Sequence, residues 1–391
     1  MTLKKINFLY FFMIVSYNVV DKIYGSSFMN IFYTSGLSIG LISIALSIED
    51  FLLVLFEYPS GFIADKIGRK TCTSLGFFLL IIGFFIFIIS KNFLFFIIAA
   101  FFKALGNAMF SGSPQSWYYE ELKKKNELKK REKYIPILRS LLQGISVVTL
   151  LFCTPLFTLS SQLPIYIAII VLLIASFIIL FVGKDNFGEV TESNLLKGFI
   201  ITTKDIIIHR SFWKIAILKI LIIVPICIFI FTWQIILLNV FKQDGSTISI
   251  LMIMIMLTFS LSSFSIFKIL KYFRIKSLLL ISILSIAFMC ICIALSSSSL
   301  MLYIIAMLSF EFFLNSYNTL EEIWIQDMIT SVNRASFYSA LGSVLALVNS
   351  LSLIFLGFVV EKIGFFSIYI IASVFAIFAS IYFYINFMRE G

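Results

Sequence analysis

The sequence predicts an all-α membrane protein whose twelve transmembrane helices form two bundles of six. Two features of the composition predict it: 61% of the 391 residues are hydrophobic and only 13% are charged, whereas about a quarter of the residues in soluble domains are charged. The third observation is that apolar runs of about 20 residues, the length a helix needs to cross a bilayer, recur along the whole chain. Together they exclude a soluble globular protein.

The first apolar run follows Lys4 and Lys5 and contains Asp21 and Lys22, so it predicts a retained helix and not a cleaved signal peptide. Eleven further runs of spanning length follow it in order. The full set is 6–32, 40–64, 72–90, 93–118, 134–157, 164–183, 212–238, 248–267, 277–296, 300–326, 337–360 and 365–387.

The longest polar stretch, 184–211, separates six runs from the other six. We therefore expect an N-terminal bundle over 1–183 and a C-terminal bundle over 212–391. Between them the stretch predicts a cytoplasmic linker, whose later part, LLKGFIITTKDIIIHR, has the pattern of an amphipathic helix lying on the membrane surface.

The net charge of +10 is distributed by topology. Basic residues crowd into every second connection, whereas the connections on the other side carry few, among them Lys91, Lys242 and Lys362. The positive-inside rule then places both termini and the basic loops in the cytoplasm. This predicts a multi-pass protein of the cell inner or plasma membrane and removes the reason to expect nucleic acid as a partner.

Several classes of chemistry are excluded by what the chain lacks. The five cysteines form no CxxC pair and His209 is the only histidine, so neither a metal centre nor a catalytic triad is expected. No phosphate loop, dinucleotide fingerprint or GxSxG elbow is present. We therefore expect no enzyme activity, no metal and no cofactor.

The connection after the second run carries the most specific motif in the chain. It reads EYPSGFIADKIGRK over 57–70 and resembles the loop signature G-x-x-x-D-(R/K)-x-G-R-(R/K) of the major facilitator superfamily, preceded by the E-x-P-(S/T)-G of its drug-efflux-like members. Five typed positions, which we call the loop motif, carry the match: Gly61, Asp65, Gly68, Arg69 and Lys70.

Each position of the loop motif has a physical reason. Gly61 permits close approach of helices, Gly68 permits a tight turn, and Arg69 and Lys70 can hold the inner interface. The resemblance implies that Asp65 ties this loop to the start of helix eleven, near Arg334, and steadies the outward-facing state. In the family such a fold transports small molecules by alternating access.

Charged residues inside the spans are the candidate functional groups, because an ionised side chain at mid-bilayer costs about 2.5–3.5 kcal/mol. Residues three or four positions apart share a face of a helix, so polar residues at these spacings lie beside the charged ones. On helix two this spacing favours Asp50 as a candidate over Glu49, which is turned about 100° away. The alternative is that opposite charges pair only to hold helices together. The candidates for substrate binding or proton coupling are Asp21, Lys22, Asp50, Lys103, Asn107, Lys219, Glu311 and Asn315.

The sequence thus predicts a monomeric secondary active transporter that exports a small amphipathic compound, drug or peptide in exchange for protons, as multidrug-resistance antiporters do. Helix five, 134–157, lacks the G-P-x-x-G-G run of proton antiporters, so antiport is less firmly indicated than transport. Two alternatives remain open: proton-coupled uptake of a nutrient or organic anion, and a membrane sensor that does not transport.

Overall fold

The computed structural model describes residues 1–187, 210–328 and 334–388. Within these ranges the chain forms thirteen α-helices, which confirms the all-helical prediction. They are α1 Leu3–Thr34, α2 Ile39–Ile67, α3 Arg69–Ile89, α4 Phe93–Phe110, α5 Ser113–Lys123, α6 Arg131–Leu159, α7 Leu163–Phe181, α8 Arg210–Ile235, α9 Gly245–Ile269, α10 Ile275–Leu295, α11 Leu300–Met328, α12 Arg334–Ile363 and α13 Ile368–Phe383.

Eleven stretches of helix within the described residues are long and apolar enough to cross a membrane. The predicted run 134–157 is not among them: the part of α6 whose side chains are described and apolar is Leu141–Phe157. A multi-pass helical membrane protein is therefore confirmed, and a count of twelve spans stays a prediction.

The run 93–118, predicted as one helix, is broken into α4 and α5. Gly112 between them has φ +76°, a left-handed conformation that glycine adopts without strain. Pro114 lies in the first turn of α5, where its missing N–H is not needed. The two helices together still make one apolar span, Phe93–Lys123.

The described chain divides into two compact units. The first comprises the described part of Met1–Thr191 with Lys242–Ile253, and the second the described parts of Glu192–Phe241 and Met254–Gly391. The start of α9 thus groups with the first unit, whereas the sequence placed it in a C-terminal bundle over 212–391. The predicted amphipathic linker helix and His209 lie outside the described residues.

In the first unit, α3 and α4 cross at very short range because glycines face each other. A Cβ atom on Gly76 would lie 2.9 Å from the carbonyl oxygen of Gly106, and one on Gly106 would lie 2.8 Å from that of Gly76. Small residues at such crossings let membrane helices pack closely. On the same helix, a Cβ on Gly83 would lie 2.7 Å from Cγ of Lys103, so the contact also makes room for a charged side chain.

The second unit is joined across its helices by aromatic and hydroxyl contacts. The rings of Phe229 on α8 and Phe310 on α11 stack at 4.6 Å. The Tyr303 hydroxyl donates to the carbonyl oxygen of Trp233 at 3.2 Å, and the hydroxyls of Thr232 and Tyr369 share a hydrogen bond of 2.8 Å. These contacts hold α8, α11 and α13 around a buried interior.

Candidate functional site

Among the described residues of the first unit, Lys103 is the most deeply buried charge, with 2% of the residue exposed. Its Nζ donates to Oε2 of Glu49 at 2.6 Å and to the Tyr24 hydroxyl. The ammonium also lies 4.8 Å from the ring centre of Phe87, within range of a cation–π interaction. A buried cation needs such a counter-charge and hydrogen-bond acceptors, and these bring α1, α2 and α4 together at one polar cluster.

The carboxylate that pairs with Lys103 is Glu49, and not the neighbouring Asp50 that the helical-wheel argument selected. Asp50 still interacts electrostatically with the Lys103 ammonium. Spacing along α2 fixes only the relative positions of its own side chains, whereas the rotation of α2 towards α4 decides which carboxylate reaches the lysine. Glu49 is thus a residue that sequence reasoning passed over.

Asp21 and Lys22 pair with each other at 2.8 Å. The side chain of Asp21 is 47% exposed and that of Lys22 22% exposed, so this pair is far more open than the Lys103 cluster. One turn earlier on α1, the Tyr17 hydroxyl donates to Oδ1 of Asn107 at 3.1 Å. This hydrogen bond joins the candidate residue Asn107 on α4 to α1.

In the second unit Lys219 forms an ion pair with Glu321, Nζ to Oε2, at 2.8 Å. Glu321 also accepts a hydrogen bond of 3.0 Å from the Tyr317 hydroxyl. The adjacent carboxylate, Glu322, is exposed, so of these two neighbouring acids only Glu321 is buried. This pair links α8 to α11.

Glu311 is 8% exposed, and among the described residues it forms neither an ion pair nor a hydrogen bond. The other two buried carboxylates of the described chain have cations, Glu121 with Lys124 and Glu321 with Lys219. Glu311 lies in the middle of a membrane-spanning helix, and of the buried acids that the structure describes it is the one without a counter-charge among the described residues.

Asn315 lies one helical turn after Glu311 but is directed elsewhere. Its Nδ2 donates to the carbonyl oxygen of Phe259 and to Oγ of Ser263, both at 3.1 Å. The amide thus ties α11 to α9. The structure does not bring Glu311 and Asn315 together at one hydrogen-bonded site.

The loop motif forms a compact network at one end of the first unit. Arg69 donates through Nε to Oδ1 of Asp65 at 3.0 Å, and its Nη2 lies 2.9 Å from the same oxygen. A cavity of about 330 Å³ is lined in part by Arg69 and Glu120. Nη1 of Arg69 lies 3.9 Å from Oε1 of Glu120. Arg334 begins α12 in the second unit, and its contact with the loop motif stays a prediction.

Asp185 caps the start of α3, and no sequence argument selected it. Its carboxylate accepts from the backbone N–H of Lys70 and of Thr71, both at 2.8 Å, and from the Thr71 hydroxyl at 2.6 Å. Gly68 has φ +103°, and a Cβ there would overlap this carboxylate. The glycine of the motif therefore leaves room for a capping carboxylate that is 115 residues further along the chain than Lys70.

The contacts of Lys70 and Gly61 differ from those expected from the loop motif. The Lys70 ammonium donates to the carbonyl oxygens of Leu180 and Gly183, at 2.9 and 3.0 Å, and so caps the end of α7. A Cβ built on Gly61 meets nothing within 4 Å among the described residues. The close helix approach expected at Gly61 is found instead at Gly76 and Gly106.

A family model described as Major Facilitator Superfamily matches residues 6–320. No curated protein matches the chain significantly. Among solved structures, the chain is similar to the nucleoside transporter NupG, with a TM-score of 0.74 and 15% identity over 98% of both chains. It is also similar to the POT family transporter PepTSo, with a TM-score of 0.78 and 11% identity over 100% of this chain and 98% of that one. Identities this low show a shared fold only. Because the family model covers most of the sequence, this chain belongs to the major facilitator superfamily of membrane transporters.

Proposed function

We propose that the protein is a proton-coupled secondary transporter of a small solute that works by alternating access. The observation that carries the proposal is Glu311, a carboxylate buried in a membrane-spanning helix without a cation among the described residues. An unpaired acid is costly at this depth, and such residues in transporters commonly mark proton or substrate pathways. A proton is the smallest cation that can neutralise the Glu311 carboxylate. Release of that proton would restore the negative charge of the carboxylate.

The Glu49–Lys103 pair supports the same proposal from the first unit. Two charges removed from water attract each other strongly, and either partner left alone is destabilised. Opening the pair therefore requires replacement partners. A proton on Glu49 and an anionic or polar group of the solute on Lys103 would supply them together, which is how uptake of a proton and binding of a solute become linked.

For the direction of transport, we propose export of a small amphipathic compound first. The support is the E-x-P-S-G sequence at 57–61, which resembles drug-efflux-like members of the superfamily. Uptake of a polar nutrient is the second candidate, and the observation that favours it is the full-length fold similarity to a nucleoside transporter and to a POT family transporter. The exposed Asp21–Lys22 pair also suits a polar or zwitterionic solute better than a purely apolar one.

We further propose that the protein acts as a monomer in the plasma or inner membrane, with both termini in the cytoplasm. The support for the orientation is the concentration of lysine and arginine in alternate connections. The test introduces single cysteines into loops on opposite sides and labels them with an impermeant thiol reagent in intact cells and in everted vesicles. Labelling of the basic loops from outside the cell would reverse this assignment.

The experiment that tests the function uses the purified full chain in proteoliposomes that contain a pH-sensitive dye. A panel of nucleosides, dipeptides and amphipathic cations is added under an imposed pH gradient. A solute-dependent proton flux is expected from the wild-type protein. Glu311→Gln should lose proton flux while retaining solute counterflow, and Glu121→Gln, which alters a buried acid already paired with Lys124, should retain both.

Two results would overturn the proposal: proton flux in Glu311→Gln equal to that of the wild type, or solute movement that no imposed proton gradient affects. Solute binding without any flux would favour the sensor alternative. The direction is then decided by comparing solute accumulation in intact cells with accumulation in everted vesicles.

A further inference from the structure

A cavity of about 520 Å³ opens in the first unit at the end opposite the loop motif. It lies where α1 and α3 end and where α7 begins, and its lining includes Ser35, Ile89, Lys91, Gln162 and Tyr166. None of the functional candidates named from the sequence lies in it. The cavity is therefore separate from the Lys103 cluster and from the loop motif.

Lys91 is the only charged residue in the lining of this cavity. It is exposed and forms no ion pair or hydrogen bond with any described residue. Tyr166 also lines the cavity, and its hydroxyl is likewise without a hydrogen-bond partner among the described residues. The cavity thus presents one free ammonium and one free hydroxyl and no carboxylate, which is the arrangement that suits an anion.

Exposed apolar side chains lead away from the cavity along two adjacent helices. On α7, one face continues from Tyr166 through Ile170, Ile174 and Phe177, all of them exposed and spaced by three or four residues. On α3, Ile89, Phe85 and Ile82 form a similar exposed face. The two helices are joined below the cavity, because Oγ of Ser74 donates to the carbonyl oxygen of Ser176 at 3.0 Å.

We propose that this cavity binds the headgroup of an anionic phospholipid from the leaflet opposite the basic loops. The phosphate would pair with the Lys91 ammonium and accept a hydrogen bond from Tyr166, while the acyl chains lie along the exposed faces of α3 and α7. A soluble anion would use the ammonium but gain nothing from the apolar faces. Tyrosine at the level of the headgroups and lysine directed to the membrane surface are both common in membrane proteins.

The proposal is tested by native mass spectrometry on the full-length protein in detergent, titrated with phosphatidylglycerol or phosphatidylcholine. The wild type should retain phosphatidylglycerol preferentially. Lys91→Gln should bind it at least about tenfold more weakly, the loss expected for one charge-assisted hydrogen bond. Lys362→Gln is the matched control, because Lys362 is also exposed and is predicted on the same side of the membrane.

A second arm replaces the lipid by inorganic phosphate and measures the melting temperature of the protein. If phosphate at the same concentration stabilises the wild type as much as phosphatidylglycerol does, the site takes small anions and the lipid assignment is wrong. Equal lipid binding by Lys91→Gln and the wild type, or equal losses in Lys91→Gln and Lys362→Gln, would also overturn it. Ile174→Gln, which interrupts the apolar face of α7, should weaken lipid binding and leave the response to phosphate unchanged.

Discussion

The ammonium of Lys103 lies 2.6 Å from the carboxylate of Glu49, and only 2% of the lysine side chain and 15% of the glutamate side chain are exposed. The two residues are 54 positions apart in sequence, and their pair joins α2 to α4. Each residue is the other's counter-charge in a setting where water is largely excluded. Loss of one partner therefore has a different consequence from loss of both.

We expect Lys103→Met and Glu49→Gln to destabilise the protein singly by about 3–5 kcal/mol each, because each leaves a buried charge unpaired. The double variant should lose much less than the sum of the two, since no unpaired charge remains. The melting temperatures of the four proteins in detergent measure this coupling. Strictly additive losses would mean that the two groups do not depend on each other.

Gly83→Ala tests how the position of Lys103 is maintained. The added Cβ would lie 2.7 Å from Cγ of Lys103 and 3.0 Å from its backbone nitrogen. One of the two helices must then shift, and we expect a loss of about 1–3 kcal/mol, as for an overpacked core. The readouts are the melting temperature and solute-driven proton flux.

The control for this variant is Gly144→Ala, also inside a helix. A Cβ on Gly144 meets nothing within 4 Å among the described residues. This substitution should leave stability unchanged or raise it by up to about 1 kcal/mol through the greater helix propensity of alanine. A melting temperature of Gly83→Ala equal to that of Gly144→Ala would show that the close contact at Gly83 has no energetic role.

The positions of the helices follow from the sequence because bilayer thickness sets the length of each apolar run. The pairing of the charges does not follow in the same way. In a soluble helix the polar face marks the outside, but α2 and α4 are apolar on most of their surface, so the pattern leaves their rotation open. Lys103 can be predicted as a functional candidate because a charged side chain inside a membrane span is energetically costly. Its pairing with Glu49 depends on the rotation of α2, which the spacing of residues on α2 does not reveal.

The role of Asp185 as a helix cap is a second feature that the sequence does not predict. Helix caps are recognised from sequence when the capping residue directly precedes the helix. The N-cap position of α3 is Gly68, which has no side chain to accept a hydrogen bond, and the capping carboxylate comes from Asp185 in the segment after α7. The break at Gly112, in contrast, had a local signal, because glycine and proline stand two residues apart.

We expect Asp185→Ala to destabilise the start of α3 by about 1–2 kcal/mol, because the N–H groups of Lys70 and Thr71 lose their acceptor. Asp185→Asn keeps one acceptor oxygen and should lose less. Both variants should slow solute transport, since the cap holds the backbone beside Arg69. The melting temperature and the transport rate are measured together, and a loss in Asp185→Asn as large as in Asp185→Ala would argue that charge and not capping matters.

Asp244 offers a test by pH outside the membrane-spanning segments. Its Oδ1 accepts from the Ser246 hydroxyl at 2.7 Å, and from the backbone N–H and the hydroxyl of Thr247, both at 3.0 Å, at the start of α9. Partial burial raises the pKa of this carboxyl, but the hydrogen bonds outweigh it and hold the pKa below its usual range. The ionised form is therefore the one that stabilises the folded chain.

A depressed carboxyl pKa contributes stability at pH values above the unfolded value of about 3.9, and that contribution is lost as the pH falls through the lower folded value. At pH 7 we expect Asp244→Ala to lose about 0.5–2 kcal/mol, the usual cost of removing a helix cap. The difference between the wild type and Asp244→Ala should narrow as the pH is lowered towards 3. Asp244→Asn, whose amide oxygen caps without titrating, should keep its difference from Asp244→Ala over the same range. Melting temperatures of the three proteins between pH 7 and pH 3 test this, and a constant difference between wild type and Asp244→Ala would refute it.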